Sequence, residues 1–407
     1  MNQHLAHKPS FIITLGLMTG IAALTVDLSL PAIPAMVNAL DTTLSRGQKI
    51  VGIFMAGMAF GQIPAGLLSD RVGRLPVLYL FLTVFAVSAA VAAAANSINL
   101  ILAARFVQGF GAAAAIVLSR AIVRDVAHGQ EAARLMSLMT MIFTFAPVIA
   151  PSIGALLITR WDWRAPFIVI AGCAVLMLLL IRVNLVETHT PNRDGHPLRQ
   201  LHASIREFFS HRQSVFGLML LVLPPAGYMS VIAVSAAMTV EIYGYSVTQY
   251  GLIFALAGIS ILIGSMLNRL LVVRFSQLKL IGLGAGLMGL SGAQLLLIAW
   301  LDAAPFWWLW SCVCLFMFTI AIMMANATVL ALDPLPRIAG VASSILGTSN
   351  NIVGATGAII GATLYDGSVR NSVLIMGVVG VLVTVVFLFR PVLCPTVVKH
   401  PQELARD

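Results

Sequence analysis

The chain has 407 residues, 59% of them apolar and 10% charged, with a mean hydropathy of +0.98. Soluble domains carry about 25% charged residues, so a water-soluble enzyme or binding module is excluded. The net charge of +9 would suit a nucleic-acid partner only if it were gathered on one face, and its distribution below excludes that.

Twelve continuously apolar runs are long enough to cross a bilayer as helices: 11–38, 47–69, 75–95, 98–119, 135–158, 165–183, 214–240, 247–272, 279–300, 305–332, 339–365 and 371–391. None alternates with the period of a β-barrel strand, so the expected class is an all-α membrane protein. Of the 24 Lys and Arg, eighteen fall in segments assigned to one side. Five (Arg46, Lys49, Arg160, Arg164 and Arg370) fall on the other, and Arg105 lies inside a run. This bias puts both termini in the cytoplasm and accounts for the basic balance without nucleic acid. The first run exceeds a signal-peptide core and lacks a small-residue cleavage site, so it is kept as a span.

In chain order, the first run carries Asp27, then Pro31 and Pro34. An ionisable residue in a span costs at least about 2.5 kcal/mol, so Asp27 is either a structural partner for a cation or a group that loads and unloads protons. The second run ends in the charged turn Gly66-Leu67-Leu68-Ser69-Asp70-Arg71-Val72-Gly73-Arg74. Its acid, arginines and glycines suit close backbone approach and ionic contact. Gly264-Ser265-Met266-Leu267-Asn268-Arg269 repeats its spacing 198 residues later, which suggests two related halves.

The fourth run supplies Arg105 and Gln108 on one face, at a depth where Arg105 could meet Asp27. Gly109 and Gly111 beside them read as helix-packing residues. Beyond the run, Asp125 could pair with Arg71 or Arg74. The fifth run places Pro147 and Pro151 four apart with Gly154 after them, a bent helix that could serve as hinge, seal or simple packing kink.

Residues 184–213 form the long polar connector, with an amphipathic patch at Ile205-Arg206-Glu207-Phe208-Phe209 suited to a membrane surface. In the second half Pro224-Pro225 is expected to break the seventh helix, with Tyr228 at a depth suited to a cavity. Glu241 reads as a solvated cap. Met323 and Asn326 lie near one another in the tenth run, where methionines can shape a cavity for varied apolar ligands. Gly340, Gly347, Gly354 and Gly361 form a stripe seven apart that calls for a tightly packed neighbour, and Asn350 and Asn351 offer polar atoms at mid-depth. All eight histidines fall in segments assigned to the cytoplasm, so no buried metal site is expected. Cys312 and Cys314 point about 200° apart on a helix.

With these pieces assembled, the sequence resembles the major facilitator superfamily and, within it, the bicyclomycin/chloramphenicol-resistance group of drug:proton antiporters. The loop between helices two and three matches at Gly66, Asp70, Arg71, Gly73 and Arg74, and the fourth-helix signature at Arg105, Gln108, Gly109 and Gly111. The fifth-helix signature matches only in part, at Pro151 and Gly154, with Ala150 and Ala155 where glycines are usual. The resemblance implies twelve transmembrane helices in two pseudo-symmetric six-helix bundles, 1–183 and 214–407, joined by a cytoplasmic linker at 184–213.

It further implies proton-coupled efflux of small, largely apolar drugs across the bacterial inner membrane by alternating access. Asp27 would carry the proton and Arg105 would hold or tune it. Asp27, Gln108, Tyr228, Met323, Asn326 and Asn350 would meet the cargo. Gly66, Asp70, Arg71, Gly73, Arg74 and Asp125 would form a conformational latch with the inner end of helix eleven. The expected partners are a drug-like substrate, protons and lipid, with the chain a monomer and no cofactor or metal. Export of a metabolite such as a sugar or amino acid is the alternative transport reading. A polytopic membrane enzyme is disfavoured, because no run contains a Ser-His or paired-carboxylate constellation.

Overall fold

The computed structural model describes residues 8–127, 129–189, 197–301 and 304–394, and the regular elements among them are all helical. They are α1 (Pro9–Ser29), a 3-10 turn (Leu30–Ala32), α2 (Ile33–Ala39), α3 (Leu44–Val72), α4 (Arg74–Ala94), α5 (Ile98–Val126), α6 (Gly129–Arg160) and α7 (Ala165–Asn184). After these come α8 (Pro197–Ser210), α9 (Arg212–Ala237) with a π turn (Met238–Ile242), α10 (Val247–Leu271), α11 (Gln277–Leu301), α12 (Phe306–Leu332), α13 (Ala339–Leu364), α14 (Val369–Leu388) and the short α15 (Arg390–Leu393). Each of the twelve apolar runs is a helix, because a chain in hydrocarbon must satisfy its own backbone groups.

Ten spans among the described residues are long and apolar enough to cross a membrane. Helix α6 contributes the shorter apolar stretch Phe145–Arg160 among the described residues. The 26 residues of α13 are long enough to span, but Ser343, Ser344, Thr348, Ser349, Asn350 and Asn351 dilute its hydropathy.

The chain forms two compact units: Met1–Gly195 with Ser235–Gly258, and His196–Val234 with Ile259–Asp407. By contact, Ser235–Gly258 groups with the first unit, where α10 seats two glycines on α6, Gly251 on Pro151 and Ser152 and Gly258 on Pro147 and Val148. The linker is partly ordered. Residues 185–189 follow α7 without regular structure and α8 packs along α13 with Phe208 buried, while Pro191, Asn192, Arg193, Asp194 and Gly195 lie outside the described residues, as do both chain ends.

In the first unit α5 sits between α3 and α4, and the contact is made by missing side chains. A methyl on Gly57 would strike the Phe106 carbonyl, on Gly61 the Phe110 carbonyl, on Gly109 the Phe54 carbonyl and on Gly111 the backbone of Phe81 and Phe85. Helices without a hydrophobic drive between them associate through such close approach. Gly66 differs, since a methyl there would meet only Val117 at 3.8 Å, an ordinary contact.

In the second unit α11 lies between α12 and α14, with Gly284 against Met323, Gly289 against Thr384 and Gly292 against Gly377 and Gly380. One sequence expectation is corrected here. Pro224 and Pro225 do not break the seventh helix, since α9 runs through them. Neighbours hold the helix on both sides of the freed carbonyls, with Gly227 packed on Phe316 and Val379 and Ala226 pressed on Gly357. On α13 Gly361 of the seven-residue stripe makes a close approach to α9 together with Gly357, four residues earlier, and the pair meets the backbone of Ser230 and Ala226. A spacing of four keeps two small residues on one face over a single turn.

Gly109→Val is therefore expected to destabilise the detergent-solubilised protein by about 2 kcal/mol or more, because the backbone of α3 cannot move aside. Gly66→Ala is expected to be neutral or stabilising by up to about 1 kcal/mol, as for a helical glycine with room. Thermal unfolding of the two variants side by side reads the difference.

Candidate functional site

Two polar clusters in the first unit collect most of the residues singled out by sequence. The first surrounds Asp27. Helix α1 gives way to a 3-10 turn after Ser29, and Pro31, four residues beyond Asp27, lacks the N–H that would bond the Asp27 carbonyl. Asp27 is 6% exposed and has no hydrogen bond or ion pair among the described residues.

Arg105 does not pair with it. The guanidinium donates from Nη2 to Ser29 Oγ at 2.9 Å and from Nη1 to Gln108 Oε1 at 2.9 Å. It lies 4.8 Å from the ring centre of Phe54 and 5.7 Å from that of Phe167. The expected direct contact of arginine and acid is thus replaced by a link through Ser29, two residues along α1 from Asp27. A planar fork suits this arrangement, since it can serve two acceptors and stack on rings at once. Arg105 Nε and Gln108 Nε2 are buried without a partner among the described residues, so donor capacity remains unspent in this cluster.

Helix α6 closes the cluster with its signature residues. Gly154 abuts the Leu28 carbonyl and the Pro31 ring, so any side chain there would force α6 off α1. One turn earlier Pro151 and Ser152 face α10, where Ser152 Oγ donates to the Gly251 carbonyl at 3.1 Å. Pro147 meets Gly258 of the same helix.

The second cluster is the charged turn between α3 and α4. Gly73 takes φ +103°, which favours glycine, and a methyl there would lie 2.7 Å from the Glu187 carboxylate. That carboxylate accepts the backbone N–H groups of Arg74 and Leu75, both at 2.9 Å. These are the first two donors of α4, at the end where the helix dipole favours an acid.

The Arg74 guanidinium is 7% exposed and donates to Asp70, to Ser69 Oγ at 2.8 Å and to Asp125 Oδ2 at 3.0 Å. Asp125 also accepts from Thr188 Oγ1 at 3.1 Å, and His189 Nε2 is 3.2 Å from the Asp70 carbonyl oxygen. Between the two candidates for Asp125, the structure selects Arg74. Arg71 is exposed and makes no ion pair among the described residues.

In the second unit the candidate cargo residues fare unequally. Tyr228 on α9 is half-buried. Asn350 is half-buried on α13, with Oδ1 unpartnered. Met323 is fully buried against Gly284, so it fills a helix contact instead of shaping a cavity. Asn326 is 2% exposed and donates from Nδ2 to Asn268 Oδ1 at 2.7 Å and to the Ile322 carbonyl at 2.8 Å, so its amide serves the α10–α12 contact.

The family profile of the Major Facilitator Superfamily matches residues 15–358, with a second match over 228–404. The chain belongs to the major facilitator superfamily. It is a multi-pass membrane transporter and not an enzyme. A bicyclomycin resistance protein homolog of Haemophilus influenzae is 32% identical over 339 residues, 83% of this chain and 84% of that one. The multidrug resistance protein MdtL of Shewanella oneidensis is 29% identical over 64% of this chain and 66% of that protein. A D-xylose-proton symporter structure shares the superfamily fold with a TM-score of 0.76, at 19% identity over 93% of this chain and 96% of that chain.

Sequence reasoning within the superfamily pattern missed Ser29, Glu187 and Tyr250. Ser29 and Glu187 carry no signal beyond a polar residue near a helix end. Tyr250, fully buried on α10 with its hydroxyl 2.9 Å from Ser235 Oγ, stands out only once its burial is known.

Removing Arg74 leaves Asp125 with its carboxylate half-buried and uncompensated, so Arg74→Gln is expected to cost about 3 kcal/mol. Arg71→Gln is expected to stay within about 0.5 kcal/mol. Denaturant or thermal titration of both variants in the same detergent checks the contrast.

Proposed function

We propose that this superfamily member exports small, largely apolar, drug-like compounds across the bacterial inner membrane in exchange for protons, working as a monomer by alternating access with both termini in the cytoplasm. The observation that carries the reading is the Asp27 carboxyl group, buried in a span without a hydrogen bond or ion pair among the described residues. A structural carboxylate in hydrocarbon is normally paired, whereas a carrier must gain and lose its proton, and a fixed salt bridge would oppose that exchange. The similarity to bicyclomycin-resistance and multidrug-resistance proteins supports drugs as the cargo class.

In this reading Asp27 holds a proton in one conformation and releases it in the other, so the acid biases the equilibrium between the two. Arg105 sets the field around it through Ser29. Gln108, Tyr228 and Asn350 are the polar groups offered to cargo, with Asp27 itself meeting cationic compounds. Gly66, Asp70, Arg71, Gly73, Arg74 and Asp125 act as the latch that engages the start of α13 in one conformation, and Pro147, Pro151 and Gly154 shape the helix that moves against its neighbours.

The test uses proteoliposomes loaded with an antibiotic against which expression of the protein protects a drug-sensitive host. Wild type is expected to accumulate the compound against its gradient when a pH difference is imposed, and Asp27→Asn to lose all uphill movement while still inserting and folding. Uphill accumulation that survives in Asp27→Asn sinks the proposal.

A further inference from the structure

Two arginines of α5 have no counter-ion. Arg120 and Arg124 are both exposed, and neither makes a hydrogen bond or ion pair among the described residues. The acids of the adjoining turn are taken, since Asp70 and Asp125 bind Arg74 and Glu187 caps α4. Like charges four residues apart on a helix repel, so the pair weakens α5 unless something answers it. Topology alone does not call for it, because Arg71 and Arg74 already mark this end of the spans. Helix α12, which follows the related turn at Gly264–Arg269 as α5 follows the first, has no Lys or Arg from Phe306 to Leu332.

The arginines end an apolar stripe. Phe106, Phe110, Val117, Arg120 and Arg124 share one face of α5, within roughly 80° of one another, and each is exposed or half-buried. Helix α3 borders that face. The Phe60 ring, 67% exposed, lies 5.9 Å from the Phe106 ring, and Gly66 leaves room for a methyl group in front of Val117.

Depth decides what such a stripe meets. Helix α5 starts at Ile98, and about 20 residues at 1.5 Å each cross the ~30 Å of hydrocarbon, which ends at Val117. Arg120 and Arg124 thus fall where lipid headgroups begin. Their stems are about 5–6 Å apart, so both guanidinium groups can close on one phosphate.

We propose that Arg120 and Arg124 bind the headgroup phosphate of an anionic phospholipid, whose acyl chains lie along the Phe60, Phe106, Phe110 and Val117 stripe between α3 and α5. The lipid supplies the missing counter-charge and covers the apolar face in one molecule. A zwitterionic lipid brings its own ammonium group to the same place and is held less well. The proposal requires only that the chain spans a bilayer. It stands apart from the exchange reading, since neither arginine belongs to the Asp27 cluster or to the latch.

The test uses delipidated full-length protein in detergent, titrated with phosphatidylglycerol or with phosphatidylcholine of the same chains. Native mass spectrometry counts the bound lipid, and thermal unfolding reads the protection it gives. Wild type is expected to prefer phosphatidylglycerol by about tenfold or more, and the Arg120→Gln/Arg124→Gln variant to lose that preference and the protection. Without lipid the variant is expected to melt no lower than wild type, because a repulsion has been removed. Arg134→Gln/Arg182→Gln removes the same charge from two other exposed arginines and is expected to keep the preference.

Equal loss in both double variants means a diffuse positive surface and overturns the site. So does a preference that survives without Arg120 and Arg124, or none in wild type. If glycerol phosphate, which has no chains, protects as well as the lipid, the apolar stripe plays no part and the proposal falls. Should the double variant not fold, Arg120→Gln and Arg124→Gln separately are each expected to lose part of the preference, and full retention in both overturns it.

Discussion

The first unit is held in register by a single guanidinium. Arg105 joins α5 to α1 through Ser29, to its own next turn through Gln108, and to α3 and α7 through the rings of Phe54 and Phe167. Four helices therefore converge on one fully buried cation whose desolvation is costly and is compensated only while all of these partners stay in place. The glycines around it serve the same end. Gly57, Gly61, Gly109 and Gly111 bring α3, α4 and α5 close enough for a side chain from α5 to reach α1 at all.

That arrangement separates two roles often assigned to one ion pair. Arg105 is spent on holding the helices, and Asp27 is left without a hydrogen bond or ion pair among the described residues. An acid locked to an arginine would be held in its charged form, whereas Asp27 is not locked to Arg105, whose guanidinium reaches Ser29 instead. The break in α1 at Pro31 and the Gly154 contact fix where the acid sits, so the local backbone, and no direct partner, determines its surroundings.

The spans were readable from sequence because hydrocarbon leaves a chain few choices: continuous apolar runs become helices, and all twelve did. Short-range patterns were also legible, such as Arg105 with Gln108 three residues on, and the turn glycine Gly73 that needs positive φ. What escaped was everything that depends on which faces meet. Met323 and Asn326 look like cavity residues by chemistry, but Gly284 and Asn268 claim them, and neither partner is near in sequence. Pro224-Pro225 reads as a break only when the helices supporting α9 are unknown. Glu187 caps α4 across more than a hundred residues, and Tyr250 joins a unit whose other members lie at the opposite end of the numbering.

The two related turns of the chain differ in one respect that bears on how each responds to salt. Where the first unit closes α3 on α5 with Asp70, Arg74 and Asp125, and leaves the Asp70 side chain 62% exposed, the second closes α10 on α12 with the neutral amides of Asn268 and Asn326. Mobile ions weaken attraction between exposed charges over roughly 8 Å at physiological strength but leave a buried amide pair untouched. Added salt therefore weakens only the outer Asp70 contact of the first closure, while its shielded Arg74–Asp125 contact and the amide pair of the second keep their strength.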